Sequence, residues 1–271
     1  MHRAERRPRR SATALLSFAL VALALGGGYA LLGVLHGGSN PASAAPAAAL
    51  VPSATPSASA PTPAAPKRTA PPSPRATPIV QRGAGTYGYA SGGTGVVGHG
   101  RLFRYRVAVE NGIGVSPAAF AAQVDAILDN TQRGWSAGGQ FAFQRVSSGP
   151  ATFTVFLVSP QTAITKCWNL IHLHVNEYGG VNCSNNGDTV VMNMNRWINL
   201  TGYYAGQPDL YHALAINHEV GHSLGHGHVT CPGPGRPAPV MMQQIKGLYG
   251  CATNGWPYTP SGTYLTGPPT R

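Results

Sequence analysis

The stretch Asn217-His218-Glu219-Val220-Gly221-His222-Ser223-Leu224-Gly225-His226-Gly227-His228 leaves the backbone few choices. His218 and His222 are four residues apart and share one face of a helix. Gly225 can end that helix with a positive φ, as a helix C-terminus needs. The chain then reverses and can bring His228 to the same place, with His226 as its competitor. Two neutral imidazoles on one helix face can bind one zinc ion. A third protein ligand leaves a fourth position for water, the pattern of a catalytic rather than a structural zinc site. Glu219 lies beside the ligands, placed to touch the water rather than the metal. The plainer alternative is a His-rich helix end that holds no ion.

Around this stretch the hydrophobic pattern predicts a helix from Pro208 to Leu224, with Leu210, Leu214 and Ile216 as apolar contacts. Upstream, Phe103, Tyr105, Val107 and Val109 alternate with other residues, a strand pattern. Ser116-Pro117 supplies an N-cap and a first-turn proline for a helix reaching Gln132. Strands follow at Phe141–Val146, Thr152–Val158 and Thr189–Met194, with a weaker one at Leu170–Val175. On that strand His172 and His174 would share a face, a minor candidate for a second metal. Beyond Cys231 the chain is rich in Gly, Pro and Thr and reads as loops. Trp135, Trp168, Trp197, Trp256 and His212 read as packing residues, and Asn217 as a local hydrogen-bonding group.

The rest of the sequence says where this domain sits. Residues 1–11 form a basic tail, and Ala12–Leu35 is uncharged and apolar on every face. Its 24 residues exceed the ~20 that a helix needs to span a bilayer. The basic flank keeps the amino terminus in the cytoplasm. The expectation is a single-pass membrane protein with its C-terminal domain outside. If the segment is a cleaved signal, the domain is secreted. Residues 36–82 are Ala, Pro, Ser and Thr with no acid, an extended disordered spacer. Residues 83–271 make the folded domain. The net charge of +11 is concentrated at residues 1–10 and 36–82, and the folded part carries only +3. It has no basic-aromatic interleaving, so nucleic-acid binding is excluded. The four cysteines of an exported domain predict two disulfides. Of three connectivities the local one, Cys167–Cys183 with Cys231–Cys251, is favoured. The second bridge would tie the segment after His228 to the segment after Met242 and so preorganise the ion site.

His218-Glu219-x-x-His222-x-x-Gly225-x-x-His228 resembles the extended zinc motif of the metzincin metallopeptidases. That resemblance favours His228 over His226 as third ligand. It also implies a methionine turn below the zinc, for which Met241 is the first choice and Met242 the alternative. Residues from about 100 to 258 are further similar to an uncharacterised family of exported bacterial domains with this motif. The resemblance implies an α+β, metzincin-like zincin. Its mixed sheet would carry two main helices and an irregular C-terminal subdomain, preceded by one transmembrane helix and a disordered linker. The implied activity is a zinc-dependent endopeptidase acting on protein or peptide substrates that lie extended along the sheet edge. Zinc would polarise the scissile carbonyl and lower the pKa of its water toward ~7, with Glu219 as general base. The chain is expected to act as a monomer. Two departures stand out. Gln243 (or Gln244) occupies the position of the tyrosine ligand of astacin-like enzymes, and residues 36–82 lack the cysteine of matrixin propeptides. The competing readings are a non-catalytic zinc domain binding at the cell envelope and a zinc amidase acting on peptidoglycan.

Overall fold

Alternating apolar residues along Arg101–Glu110 (β3) make the longest strand among the described residues, and the sheet is built around it. The computed structural model describes residues 76–173 and 180–270. The expected membrane segment, the basic tail and most of the spacer lie outside the described residues, as does His174. Among the described residues no helix is long and apolar enough to cross a membrane. The end of the stretch read as spacer follows the domain. The Thr77 amide donates to the Asn199 side chain, and Ile79 packs on the core.

The elements in chain order are β1 (Tyr87–Tyr89), β2 (Val97–Gly98), β3, α1 (Pro117–Leu128), β4 (Phe141–Arg145), β5 (Phe153–Val158), α2 (Pro160–Ile171), β6 (Cys183–Ser184), β7 (Thr189–Asn193), α3 (Met194–Asn199) and α4 (Pro208–Ser223). The seven strands form one mixed sheet of order β2-β4-β3-β5-β7-β6, with β1 beside the C-terminal end of β3. Strands β4, β3, β5 and β7 run parallel, while β1, β2 and β6 pair antiparallel. The period-two pattern divides the side chains between two faces. Val155, Leu157, Val190 and Met192 join Phe120, Val124, Leu214 and Ile216 in the main core under α1 and α4. Val158 and Val191 face the other way, toward Ala163 and Cys167 of α2.

The mixed sheet agrees with expectation, but the described residues hold four helices rather than two main ones. Where a strand was expected at Leu170–Val175, Leu170 and Ile171 are the last residues of α2. His172 closes that helix with φ 52°. His172 therefore cannot present a strand face together with His174, and its ring meets Trp168 edge-on at 5.2 Å. The signal for α2 was present: Ser159-Pro160 repeats the Ser116-Pro117 arrangement at the start of α1. Helix α1 stops at Leu128, four residues short of the expected end. The Asn130 side chain there accepts the Gln132 and Arg133 amides and turns the chain. Both favoured disulfides are present, Cys167–Cys183 and Cys231–Cys251. The first joins α2 to β6.

Beyond α4 the described residues form no regular element, only isolated bridges such as Val229 with Pro269. Its backbone is nevertheless ordered by buried side chains. Gln244 accepts from the Tyr204 hydroxyl and donates to the Pro239 and Asn254 carbonyls.

Candidate metal centre

Helix α4 starts with Pro208 at its first turn, beside Asp209, whose charge suits the positive helix end. Its buried positions include Tyr211, Leu214, Ala215, Glu219 and Val220. At the other end the His226 amide donates to the Gly221 carbonyl and the Gly225 amide to that of His222. With φ +96° at Gly225, this is a Schellman closure. It reverses the chain as the sequence requires and sets His228 back against the helix.

The three imidazoles converge. His228 Nε2 lies 3.1 Å from His222 Nε2 and 3.3 Å from His218 Nε2. Ligand nitrogens 2.0–2.1 Å from one tetrahedral ion stand ~3.3 Å apart, so the donor set fits zinc. The tautomers fit as well. His218 Nδ1 donates to the Val240 carbonyl at 2.6 Å, and His222 Nδ1 to the His226 carbonyl at 3.0 Å. Those bonds leave each Nε2 its lone pair. Burial, then the neighbouring rings, disfavour added protons. His218 is held down at about 3 and His228 at about 4. Among the described residues this triad is the one group of three or more such side chains able to hold an ion.

His226 points elsewhere. Its ring stacks on Trp135 at 4.5 Å, and its carbonyl serves His222. Trp135 in turn donates its indole N–H to the Asn217 carbonyl, so the packing role expected for it is also a support for α4. Asn217 does not bond locally, as its side chain donates to Gly255, 38 residues away. His212 stacks on Trp197 at 3.7 Å, away from the triad.

Met241 rather than Met242 lies beneath the helix. A Cβ placed on Gly221 would fall 2.4 Å from the Met241 sulfur. Met242 instead packs with Ala238 and the Cys231–Cys251 bridge. That bridge joins the chain just after His228 to the chain after the methionines, as the spacing anticipated. A second clasp was not anticipated. The Thr270 amide donates to the His228 carbonyl and the Thr230 amide to that of Pro268.

Glu219 is 7 % exposed, and burial lifts its carboxyl to about 8. It borders two adjoining spaces. One is a cleft of about 520 Å³ that contains His218, His222 and His228. The other is a pocket of about 190 Å³ running back along α4. Gln243 lines both, while Gln244, buried in its own hydrogen bonds, lines only the smaller one.

Residues 73–254 match the family described as Protein of unknown function (DUF3152). The chain belongs to the DUF3152 family. The DUF3152 match contains the histidine triad, Glu219, Met241 and all four cysteines, while the clasp at residues 268–270 lies beyond it. Comparisons with curated proteins and with solved structures found no match.

Proposed function

We propose that this protein is a zinc-dependent endopeptidase. The observation that carries the reading is the convergence of three imidazole Nε2 atoms in a cleft that one buried carboxylate also borders. His218, His222 and His228 hold the ion, oriented by the Val240 and His226 carbonyls. Zinc at that place supplies Lewis acidity and makes water acidic enough to ionise near pH 7. A purely structural site needs no general base, and Glu219 is one. Its carboxylate accepts a proton from the attacking water and passes it to the leaving amine. Met241 supports the helix between the first two ligands. The similarity of the histidine spacing to that of metzincins supports the same assignment. Two disulfides favour an oxidising compartment, in keeping with an exported domain.

The test is digestion of casein and of a peptide library by purified, zinc-loaded protein, with Glu219→Ala as control. Wild type is expected to cleave. Glu219→Ala is expected to hold one equivalent of zinc and to lose at least a hundredfold in rate. Equal cleavage by the two proteins would remove the proposal. His222→Ala should lose the zinc itself, measured by metal analysis after gel filtration.

A further inference from the structure

The 190 Å³ pocket opens from the ion cleft, for Leu173, Asn182, His218, Glu219 and Gln243 border both spaces. A side chain seated in the pocket would therefore belong to a residue next to the bond under attack. From Glu219 the pocket runs back along α4 to Tyr211, two turns earlier, about 12 Å of helix rise.

The polar groups of its inner wall are already engaged. The Tyr211 hydroxyl is hydrogen-bonded with the Asn182 side chain, whose oxygen accepts the Asn193 amide. Gln244 accepts from the Tyr204 hydroxyl and donates to the Pro239 and Asn254 carbonyls. His218 donates to the Val240 carbonyl. What remains to meet a ligand is hydrocarbon, from Val181, Leu214, Ala215, Met242 and Ile245. Charge argues the same way. An acidic side chain would be set beside the buried Glu219 carboxyl, and two carboxyls in one site do not readily both ionise. A lysine would carry its ammonium to the Tyr211 end, where no carboxylate lines the wall. Lys246 also borders the pocket, but it is exposed, so its own charge stays hydrated. The approach is apolar too. Ile171 and Leu173 are 40 % and 37 % exposed and border the cleft, and apolar side chains left exposed together at a cavity mark a binding surface. An apolar cavity of ~150 Å³ accepts a benzene molecule, so 190 Å³ accepts a leucine side chain or a phenyl ring.

We infer that this pocket is a specificity subsite for one uncharged apolar side chain, of leucine to phenylalanine size, on a substrate residue adjoining the cleaved bond. The inference rests on the peptidase reading for its place in catalysis, but not for its binding chemistry. Glutamine is the informative rival, being close to leucine in size and uncharged. Its amide would lose water and find donors and acceptors that are already paired with one another.

Full-length protein is assayed in two ways. Zinc-loaded, it is given blocked peptides in which the residue before the cleaved bond, and then the residue after it, is Leu, Phe, Trp, Gln, Glu or Lys. At one of the two positions Leu or Phe is expected to exceed Gln, Glu and Lys at least tenfold in kcat/KM. Zinc-free, it is titrated in a calorimeter with N-acetylleucine amide, N-acetylphenylalanine amide and N-acetylglutamine amide, and the first two are expected to bind at least tenfold more tightly than the third. Ala215→Leu fills the space from α4 and should cut both preferences at least tenfold, with the zinc content unchanged. Ala215 is buried in the core, so Ile245→Ala, at a half-buried position, is the second variant. It widens the pocket and should raise Trp relative to Leu at least fivefold. A preference for Glu or Lys, equal rates for Leu, Phe and Gln at both positions, apolar probes bound no more tightly than the glutamine probe, or a ranking that Ile245→Ala leaves unaltered overturns the inference. Tighter binding of the apolar probes without cleavage of any peptide would sink the peptidase reading and leave the subsite standing. Cleavage with no apolar preference would do the reverse.

Discussion

Replacing Gly221 by alanine tests how the helix is seated on its support. The residue lies between His218 and His222, on the side of α4 that faces Met241 and Trp135. A Cβ there would come within 2.4 Å of the Met241 sulfur and 2.9 Å of Trp135 Cζ2. Carbon contacts are comfortable at ~3.5–4.0 Å, so both neighbours must give way by about 1 Å. Met241 is flexible and can yield in part. Trp135 cannot, being fully buried and held by its bond to the Asn217 carbonyl. Alanine gains ~1 kcal/mol over glycine in helix propensity, and overpacking costs ~1–3 kcal/mol. Gly221→Ala is thus expected to be destabilised by ~0–2 kcal/mol, read from urea midpoints of the zinc-free protein. The same displacement moves α4 away from Val240, the hydrogen-bond partner of His218. Zinc affinity should fall about tenfold, or ~1.4 kcal/mol. Adding Met241→Ala should recover part of the loss, with a favourable coupling of ~1–2 kcal/mol in the double-mutant cycle. A Gly221→Ala protein ~1 kcal/mol more stable than wild type, with zinc affinity unchanged, would refute the argument, because propensity alone would then have decided the outcome.

Other perturbations follow from the same contacts. Burial, then Asp125, lift the Asp129 carboxyl to about 6 from an ordinary 3.8, against the pull of Arg145. The folded chain therefore binds this proton more tightly than the unfolded one, and stability should decline as pH rises from about 4 through about 6. Asp129→Asn is expected to gain ~1 kcal/mol at pH 7 after allowance for solvent screening, with no gain at pH 4, by thermal melts at both values. Arg145→Met removes the cation from Asp125, whose carboxylate also accepts from Tyr105. The pair is mostly but not fully buried, so a loss of ~2 kcal/mol is expected in urea unfolding, and a loss below ~0.5 would show the pair to be ornamental. Cys231→Ser/Cys251→Ser opens a loop of 20 residues, worth ~3 kcal/mol in the chain-entropy model. Zinc affinity of that variant should fall by at least tenfold in a chelator competition, and an unchanged affinity would separate the bridge from the ion site.

The candidate site was legible because its information is local. The spacing from His218 to His228 fixes a helical face, a glycine reversal and a return, and the Schellman closure at Gly225 carries these out with two backbone hydrogen bonds. Long strands such as β3 were legible for the same reason, through alternation. What escaped was non-local. Strands β2 and β6 have two residues each, too few for any period, and exist only because β4 and β7 offer them an edge. Helix α2 was hidden by its apolar end, where Leu170 and Ile171 imitate a strand. Asn217 looked like a local group, yet its partner Gly255 lies in a segment with no pattern at all.

The clasp at residues 268–270 has a consequence for the order of events. His218 and His222 sit one turn apart on a single helix, so local backbone bonds set them side by side. The peptide units that hold the chain at His228 in place, at Pro268 and Thr270, lie some forty residues further along it. Placement of the third imidazole therefore waits on a contact of long range in sequence, unlike that of the first two.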